Sequence, residues 1–206
     1  IWTSKRKNDG NDALMIARLA RADRELFHPV ALRDDERHAM VQLLELREIA
    51  VAQRTRIVNS VRGMCKACGV FLRKCDAGCF LSAARDGIPA REAWKFEPLL
   101  AQLELLRETI RKYDELVRDY SRRHFGKESE LLRTVPGVGE ITSSAYVAHV
   151  PDAKGFGRAR DAGCYFGLTP GQDQSGDGDA PKRITKTGST MVRTLLVNAA
   201  NYILRA

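Results

Sequence analysis

Residues 96–120 read FEPLLAQLELLRETIRKYDELVRDY, and the reading of this stretch decides the fold. Phe96, Leu99, Leu103, Leu106, Ile110, Tyr113, Val117 and Tyr120 are separated alternately by three and four positions. That is the a/d repeat of a coiled-coil seam. It predicts one long helix beginning at Pro89, apolar along a single stripe. The opposite face carries Glu104, Arg107, Glu108, Arg111, Lys112, Glu115 and Arg118 and reads as a solvated surface. The stripe must be covered, either by another helix of the same chain or by a second chain.

Toward the N-terminus, a second long helix is expected from Asp34 to about Cys65, with Met40, Leu43, Leu46, Ala50, Ile57, Val61 and Met64 approximating helical spacing. The two helices can form an antiparallel hairpin with a cysteine-rich segment at its tip, or the second can pair between chains. That segment holds Cys65-x-x-Cys68 and Cys75-x-x-x-Cys79, while Cys164 lies far away. Only Gly69 to Lys74 intervene between the pairs, a tighter spacing than most zinc knuckles use, so zinc ligands and free thiols are both open readings.

Toward the C-terminus, Gly126 is expected to end the arm. Leu131 to Thr142 carries Val135-Pro136-Gly137-Val138-Gly139, followed by a small-residue helix through Ser143, Ser144, Ala145, Val147 and Ala148. Helix, tight glycine hairpin and helix is the pattern of a helix-hairpin-helix element, whose hairpin amides at Gly137 and Gly139 could grip phosphates without reading bases. An ordinary helical turn explains the same residues. Phe156, Ala162, Tyr165 and Phe166 read as core. Beyond them, Thr169 to Gly178 is rich in glycine and polar residues and predicts a surface loop containing Ser175 directly before Gly176. The serine is either an exposed nucleophile or a turn residue. Every formal charge from Lys182 to Arg193 is positive, namely Lys182, Arg183, Lys186 and Arg193. Lys186-Thr187-Gly188-Ser189 leads into an apolar helix, and an amide-rich helix start beside a lysine suits a phosphate.

At the other end, Asp9 and Asp12 are three apart at the start of an amphipathic helix, so they share a face. They can serve as two ligands of a magnesium ion or as helix-capping carboxylates. Phe27-His28-Pro29-Val30 breaks that helix. The 206 residues carry a net charge of +8, which favours a polyanionic partner, and no apolar run approaches the length of a membrane span. No signal-peptide pattern opens the chain, so a soluble, intracellular protein is expected. Ile1 stands within a charged segment, which suggests that a native N-terminal portion precedes it.

Taken in order, Val135-Pro136-Gly137-Val138-Gly139, Phe166-Gly167-Leu168-Thr169-Pro170, Ser175-Gly176 and Ile184-Thr185-Lys186-x-Gly188 with Arg193 and Leu195-Leu196 closely resemble the C-terminal domain of the IS-one-ten group of insertion-sequence transposases, relatives of the Piv invertase. Lys7-x-Asp9-x-x-Asp12-Ala13 resembles the last two acidic positions of that family's RuvC-like DEDD metal site. The resemblance implies a mainly α chain in three parts: the end of a RuvC-like α/β domain over 1–30, a coiled-coil helical arm over 31–126, and a C-terminal α-helical transposase domain with a helix-hairpin-helix-like element over 127–206. It further implies a DNA recombinase guided by a structured bridge RNA, with Ser175 as nucleophile and Asp9 and Asp12 holding Mg2+. Gly137, Gly139, Lys182, Arg183, Lys186, Gly188 and Arg193 would hold nucleic acid. The implied partners are donor and target DNA, the RNA, and further copies of the chain in a dimer or tetramer through the coiled coil. No membrane is involved, and the setting is the bacterial cytoplasm and nucleoid. The first two acidic residues of the DEDD set have no counterpart, so this stretch is expected to be inactive alone. From the residues alone two other classes stand: a non-catalytic helix-hairpin-helix binding module on a dimerising coiled coil, and an oligomerisation scaffold.

Overall fold

A computed structural model describes residues 9–24, 32–171 and 182–205. The chain divides into two compact units, Ile1–Leu32 and Arg33–Ala206. In the first, helix α1 (Asp9–Ala22) opens with Asp9 and Asp12 in its first turn, where the helix dipole favours carboxylates. None of its residues is buried.

The second unit is built on two long helices, α2 (Asp35–Ala67) and α4 (Ala90–Arg133), with the short α3 (Phe80–Gly87) between them in sequence. Asp34 starts α2 by accepting a hydrogen bond from the Arg37 amide at 2.7 Å, and its carboxylate also pairs with the Arg37 guanidinium. Such a cap is worth about 1 kcal/mol. The helices run antiparallel. At one end Ala50, Ile57, Val61 and Cys65 of α2 share a core with Phe96, Leu100, Leu103, Leu106 and Ile110 of α4, closed by Phe80 and Ala84 of α3. At the other end Met40, Val41 and Leu44 meet Val117 and Phe125. Arg47 donates to Asp114 at 2.6 Å across the same interface. Of the two arrangements the sequence left open, the heptad seam is thus filled within one chain.

Two local expectations give way to packing, and a third is met by a kink. Pro98 lies inside α4, although a proline there forfeits a backbone hydrogen bond and costs about 3 kcal/mol. The apolar stripe, with each fully buried side chain contributing roughly 1.5–3 kcal/mol, outweighs it. Leu100 is fully buried in place of the expected Leu99, which is only partly buried. Further along, burial moves from Val117 to Ser121, Phe125 and Ser129 in steps of four. A straight helix drifts by roughly 20° per heptad against a 3.5-residue repeat, so the buried stripe rotates around α4. Finally, the arm breaks where it is expected to end, because Phe125 (φ −135°, ψ 25°), next to Gly126, leaves helical geometry and kinks α4 before a second helical stretch runs on to Arg133. That ring is buried under Arg37, whose guanidinium carbon lies 5.3 Å from the ring centre.

The rotation brings small residues to face α5 (Glu140–His149), whose Ser143, Ser144, Ala145 and Ala148 are wholly or nearly wholly buried against α2 and α4. Side chains this short let helix axes approach closely, and Ser129 and Ser143 share a hydrogen bond of 2.9 Å at the crossing. A 3-10 turn (Ala153–Gly155), α6 (Asp161–Tyr165) and α7 (Thr190–Arg205) complete the unit. Phe166 and Val192 join its second core. Among the described residues the sole extended pairing is the antiparallel bridge between Pro170 and Ile184, so the fold is mainly α. No helix among them is long and apolar enough to cross a membrane.

Candidate nucleic-acid interface

Ser175 lies outside the described residues, but both ends of its loop are described. Gly171 donates its amide to Arg183 O at 3.0 Å, Thr185 donates to Thr169 O at 3.0 Å, and Lys186 donates to Gly167 O at 3.1 Å. These bonds zip residues 167–171 to residues 183–186 as two antiparallel feet. Lys182, Arg183 and Lys186 are all exposed at the second foot, so three cations are grouped where the loop leaves the body. Lys186 holds a left-handed backbone at φ +58°, an arrangement that costs a non-glycine residue roughly 1 kcal/mol and persists because its neighbours over-determine it.

Two glycines have packing reasons for their identity. Gly188 (φ +70°) approaches the carbonyl of Tyr165 so closely that a Cβ would collide with it, which seats the entry to α7 on the end of α6. Gly137 (φ +81°) sits in the turn between α4 and α5, where a Cβ would stand 2.8 Å from the carbonyl oxygen of Ala199 and 3.3 Å from its Cα. The tight turn between α4 and α5 is therefore docked on α7. Val138 donates to Val135 O at 3.1 Å to close the turn. Gly139 caps α5 with extended backbone and no side-chain hydrogen bond, leaving the first-turn amides of α5 without a side-chain partner. Beside them Arg133 and Glu140 pair at 3.1 Å.

Arg193 departs from the expectation that it contacts phosphate. It is buried on α7, and its guanidinium donates to Phe166 O at 3.1 Å, Thr187 O at 2.8 Å and Thr190 Oγ1 at 3.0 Å. Three of its five N–H donors tie Phe166 and Thr187 to the first turn of α7, which gives it a structural role. The position offers a signal in retrospect, because Val192, Leu196 and Ala199 place the neighbouring stripe of α7 inward.

Asp9 and Asp12 are exposed on the first turn of α1. A divalent ion needs more oxygen donors than one such pair, and no group of three potential ligands exists among the described residues. The pair by itself does not make a metal site. The four clustered cysteines lie within the described residues, do not form a ligand group, and are free thiols. Cys65 is buried, and burial raises its thiol pKa. Cys75 instead accepts from Arg62 at 3.2 Å. Sequence reasoning passed over His149, which is buried at the end of α5 with its Nδ1 2.8 Å from Ala145 O. A single histidine closing a small-residue helix carries no pattern that would single it out.

A family model described as "Transposase IS116/IS110/IS902 family" matches residues 129–206, and a DEDD-type IS110 model described as "Transposase" matches residues 2–68. Along nearly its whole length the chain is similar to curated proteins. It is 28% identical over 210 residues to the "Transposase for insertion sequence element IS1111A" of Coxiella burnetii, covering 99% of this chain and 57% of that protein. It is 26% identical over 204 residues to the "Probable family 20 transposase" of Pseudomonas aeruginosa, covering 97% and 60%. With the "Transposase for insertion sequence element IS1328" of Yersinia enterocolitica it shares 25% identity over 210 residues, covering 99% and 61%. The chain thus spans little more than half the length of these relatives. The two matched segments belong to one family, they follow in its order, and between them they contain α1, α2, the turn at Gly137, both loop feet and α7: the chain belongs to the IS110 family of insertion-sequence transposases.

Proposed function

We propose that this chain acts in cutting and rejoining the DNA of an insertion sequence, with Ser175 as the nucleophile and a bridge RNA directing the choice of strands. The observation that carries the proposal is the clamp of backbone hydrogen bonds beneath the serine loop, with Lys182, Arg183 and Lys186 exposed on its second foot. A clamped base fixes where a loop residue can reach, and clustered cations attract the phosphate backbone without regard to sequence. The turn at Gly137 and Gly139, with the open amides at the start of α5, supplies a second phosphate contact in this reading.

The chemistry balances without an external energy source. The serine Oγ forms a bond to phosphorus while one sugar–oxygen bond to that phosphorus breaks. The serine proton leaves to a base, and the departing sugar oxygen gains one. Rejoining reverses the exchange with the hydroxyl of another strand, and one phosphodiester bond is conserved throughout. A serine hydroxyl is a weak nucleophile at neutral pH and needs activation, which a divalent ion such as Mg2+ would supply when bound. Asp9 and Asp12 would contribute two carboxylates to that site, its other donors lying outside the described residues. Within a homo-oligomer, one chain's loop and another's acidic pair could complete each other.

The test uses the intact protein with end-labelled DNA and guide RNA, resolved by denaturing electrophoresis. The expected result is a covalent protein–DNA species that Ser175→Ala abolishes while nucleic-acid binding remains. Asp9→Asn and Asp12→Asn should also abolish cleavage. A Ser175→Ala protein that still forms the adduct would remove the serine from the mechanism, and binding with no cleavage in the parent would leave a non-catalytic binding module.

A further inference from the structure

A cleft of about 540 Å³ opens where the start of α2, the end of α5, α6 and the entry to α7 come together, and Arg33, Glu45, His149, Tyr165, Phe166 and Ser189 line it. That size accommodates a small organic ligand. Its walls differ in chemistry from one side to the other. His149 is 6% exposed, and a carbonyl can only accept, so Nδ1 carries the proton it shares with Ala145 O. Burial holds the ring's pKa below its ordinary value. The Ala145 hydrogen bond opposes it, and weaker effects of the Arg33 charge, which lowers the pKa, and of Glu45, which raises it, follow. The ring is therefore neutral, and Nε2 is a hydrogen-bond acceptor with no partner among the described residues, on a residue that lines the cleft. The Glu45 carboxylate is a second acceptor on that side.

Tyr165 forms an aromatic wall. Its hydroxyl donates to His149 O at 2.9 Å, and its ring stands edge-on to Phe156 and Phe166, so its orientation is fixed although the residue is 45% exposed. The remaining side is electropositive. Ser189 begins the sixteen-residue α7, its hydroxyl accepting from the Val192 amide at 3.4 Å, and the first-turn amides before Val192 have no intrahelical acceptor. Arg33 adds a guanidinium to the lining, where its charge also reaches His149. A ligand matching this lining carries an anion, a flat ring and N–H donors.

Building on the nucleic-acid reading above, we propose that the cleft receives one unpaired nucleotide of a nucleic-acid strand. Its phosphate lies at the N-terminus of α7 beside Arg33, its base lies against Tyr165, and its exocyclic amino group donates to His149 Nε2 and the Glu45 carboxylate. Adenine, cytosine and guanine carry such an amino group. Thymine and uracil do not.

Calorimetric titration of the protein with adenosine monophosphate, thymidine monophosphate and inorganic phosphate tests this assignment, alongside a gel-shift measurement with duplex DNA. Adenosine monophosphate should bind ~10-fold more tightly than thymidine monophosphate, because thymine presents a carbonyl oxygen where adenine presents its amino group and so sets acceptor against acceptor at His149 Nε2 and the Glu45 carboxylate, and phosphate should bind more weakly than either. His149→Leu should erase the difference between the two nucleotides. Because that variant alters a packed site, Glu45→Gln at an exposed position provides a second one, expected to reduce the difference several-fold while duplex binding stays at the parent level. Equal binding of the two nucleotides, phosphate binding as tight as either, no binding of adenosine monophosphate at all, or discrimination that survives both substitutions would overturn the assignment. Failure of the parent to bind duplex DNA would instead strike at the nucleic-acid reading itself.

Discussion

Replacing Arg193 by methionine keeps most of the apolar stem and removes three donors. The guanidinium bonds Phe166 O, Thr187 O and Thr190 Oγ1 from a buried position, and Phe166 is itself 1% exposed. Hydrogen bonds from a charged donor contribute roughly 1.5–3 kcal/mol each, and the stranded carbonyls add a desolvation cost. Allowing for partial relaxation, the loss should be about 3–5 kcal/mol, the range found when a buried charged network loses one member. In a unit of this size 1 kcal/mol corresponds to roughly 2–4 °C, so thermal unfolding followed by circular dichroism should shift down by about 10 °C. Arg193→Lys is the informative companion. One ammonium cannot span three acceptors set for a planar fork, so more than half the loss should remain although the charge is kept. If Arg193 were instead a phosphate contact, Arg193→Lys would be nearly silent, and Arg193→Met would lower the salt slope of DNA binding by about one unit at unchanged melting temperature. That pattern would refute the structural assignment.

Lys186→Gly relieves the left-handed backbone at φ +58°, so it should leave the melting temperature unchanged or slightly raised while lowering the salt slope of DNA binding by about one unit. Gly137→Ala should destabilise by roughly 2 kcal/mol or more, read in urea melts, because its Cβ would meet the backbone of α7 at 2.8 Å. Ser144→Ala removes a fully buried hydroxyl without a hydrogen-bond partner among the described residues and should stabilise by about 1 kcal/mol in the same assay. Paired Leu103→Asp and Ile110→Asp should lower helicity with no change in sedimenting mass, since their seam is filled by α2 within the chain. For His149 the folded pKa lies below the ordinary 6.5, so below that pH the unfolded chain binds the extra proton. Stability should therefore fall as the pH drops from about 6.5 to the lowered value and level off below it, and His149→Leu should flatten that part of the melting-temperature profile.

The heptads of α4, the helical spacing of α2, the glycine turn before α5 and the basic run before α7 are local features, and each was legible because its signal lies within a few turns of chain. The ordered motifs that mark the family are local in the same sense. Tertiary contact decided the rest. Whether the seam of α4 closes on α2 or on a second chain depends on the intervening segment folding back, which periodicity does not specify. Leu100 displaces Leu99 because a straight helix cannot hold a 3.5-residue repeat, and the helical stretch that follows the kink at Phe125 is placed by packing, with that ring in a buried seat under Arg37. Arg193 reads as a cation in the sequence, and only the carbonyls of Phe166 and Thr187, 27 and 6 residues away, make it a structural fork. The cleft around His149 draws residues from positions 33 to 189, and no window of sequence contains it. Charge and pattern are properties of the chain, whereas the partner that satisfies a buried charge is chosen by distance in space.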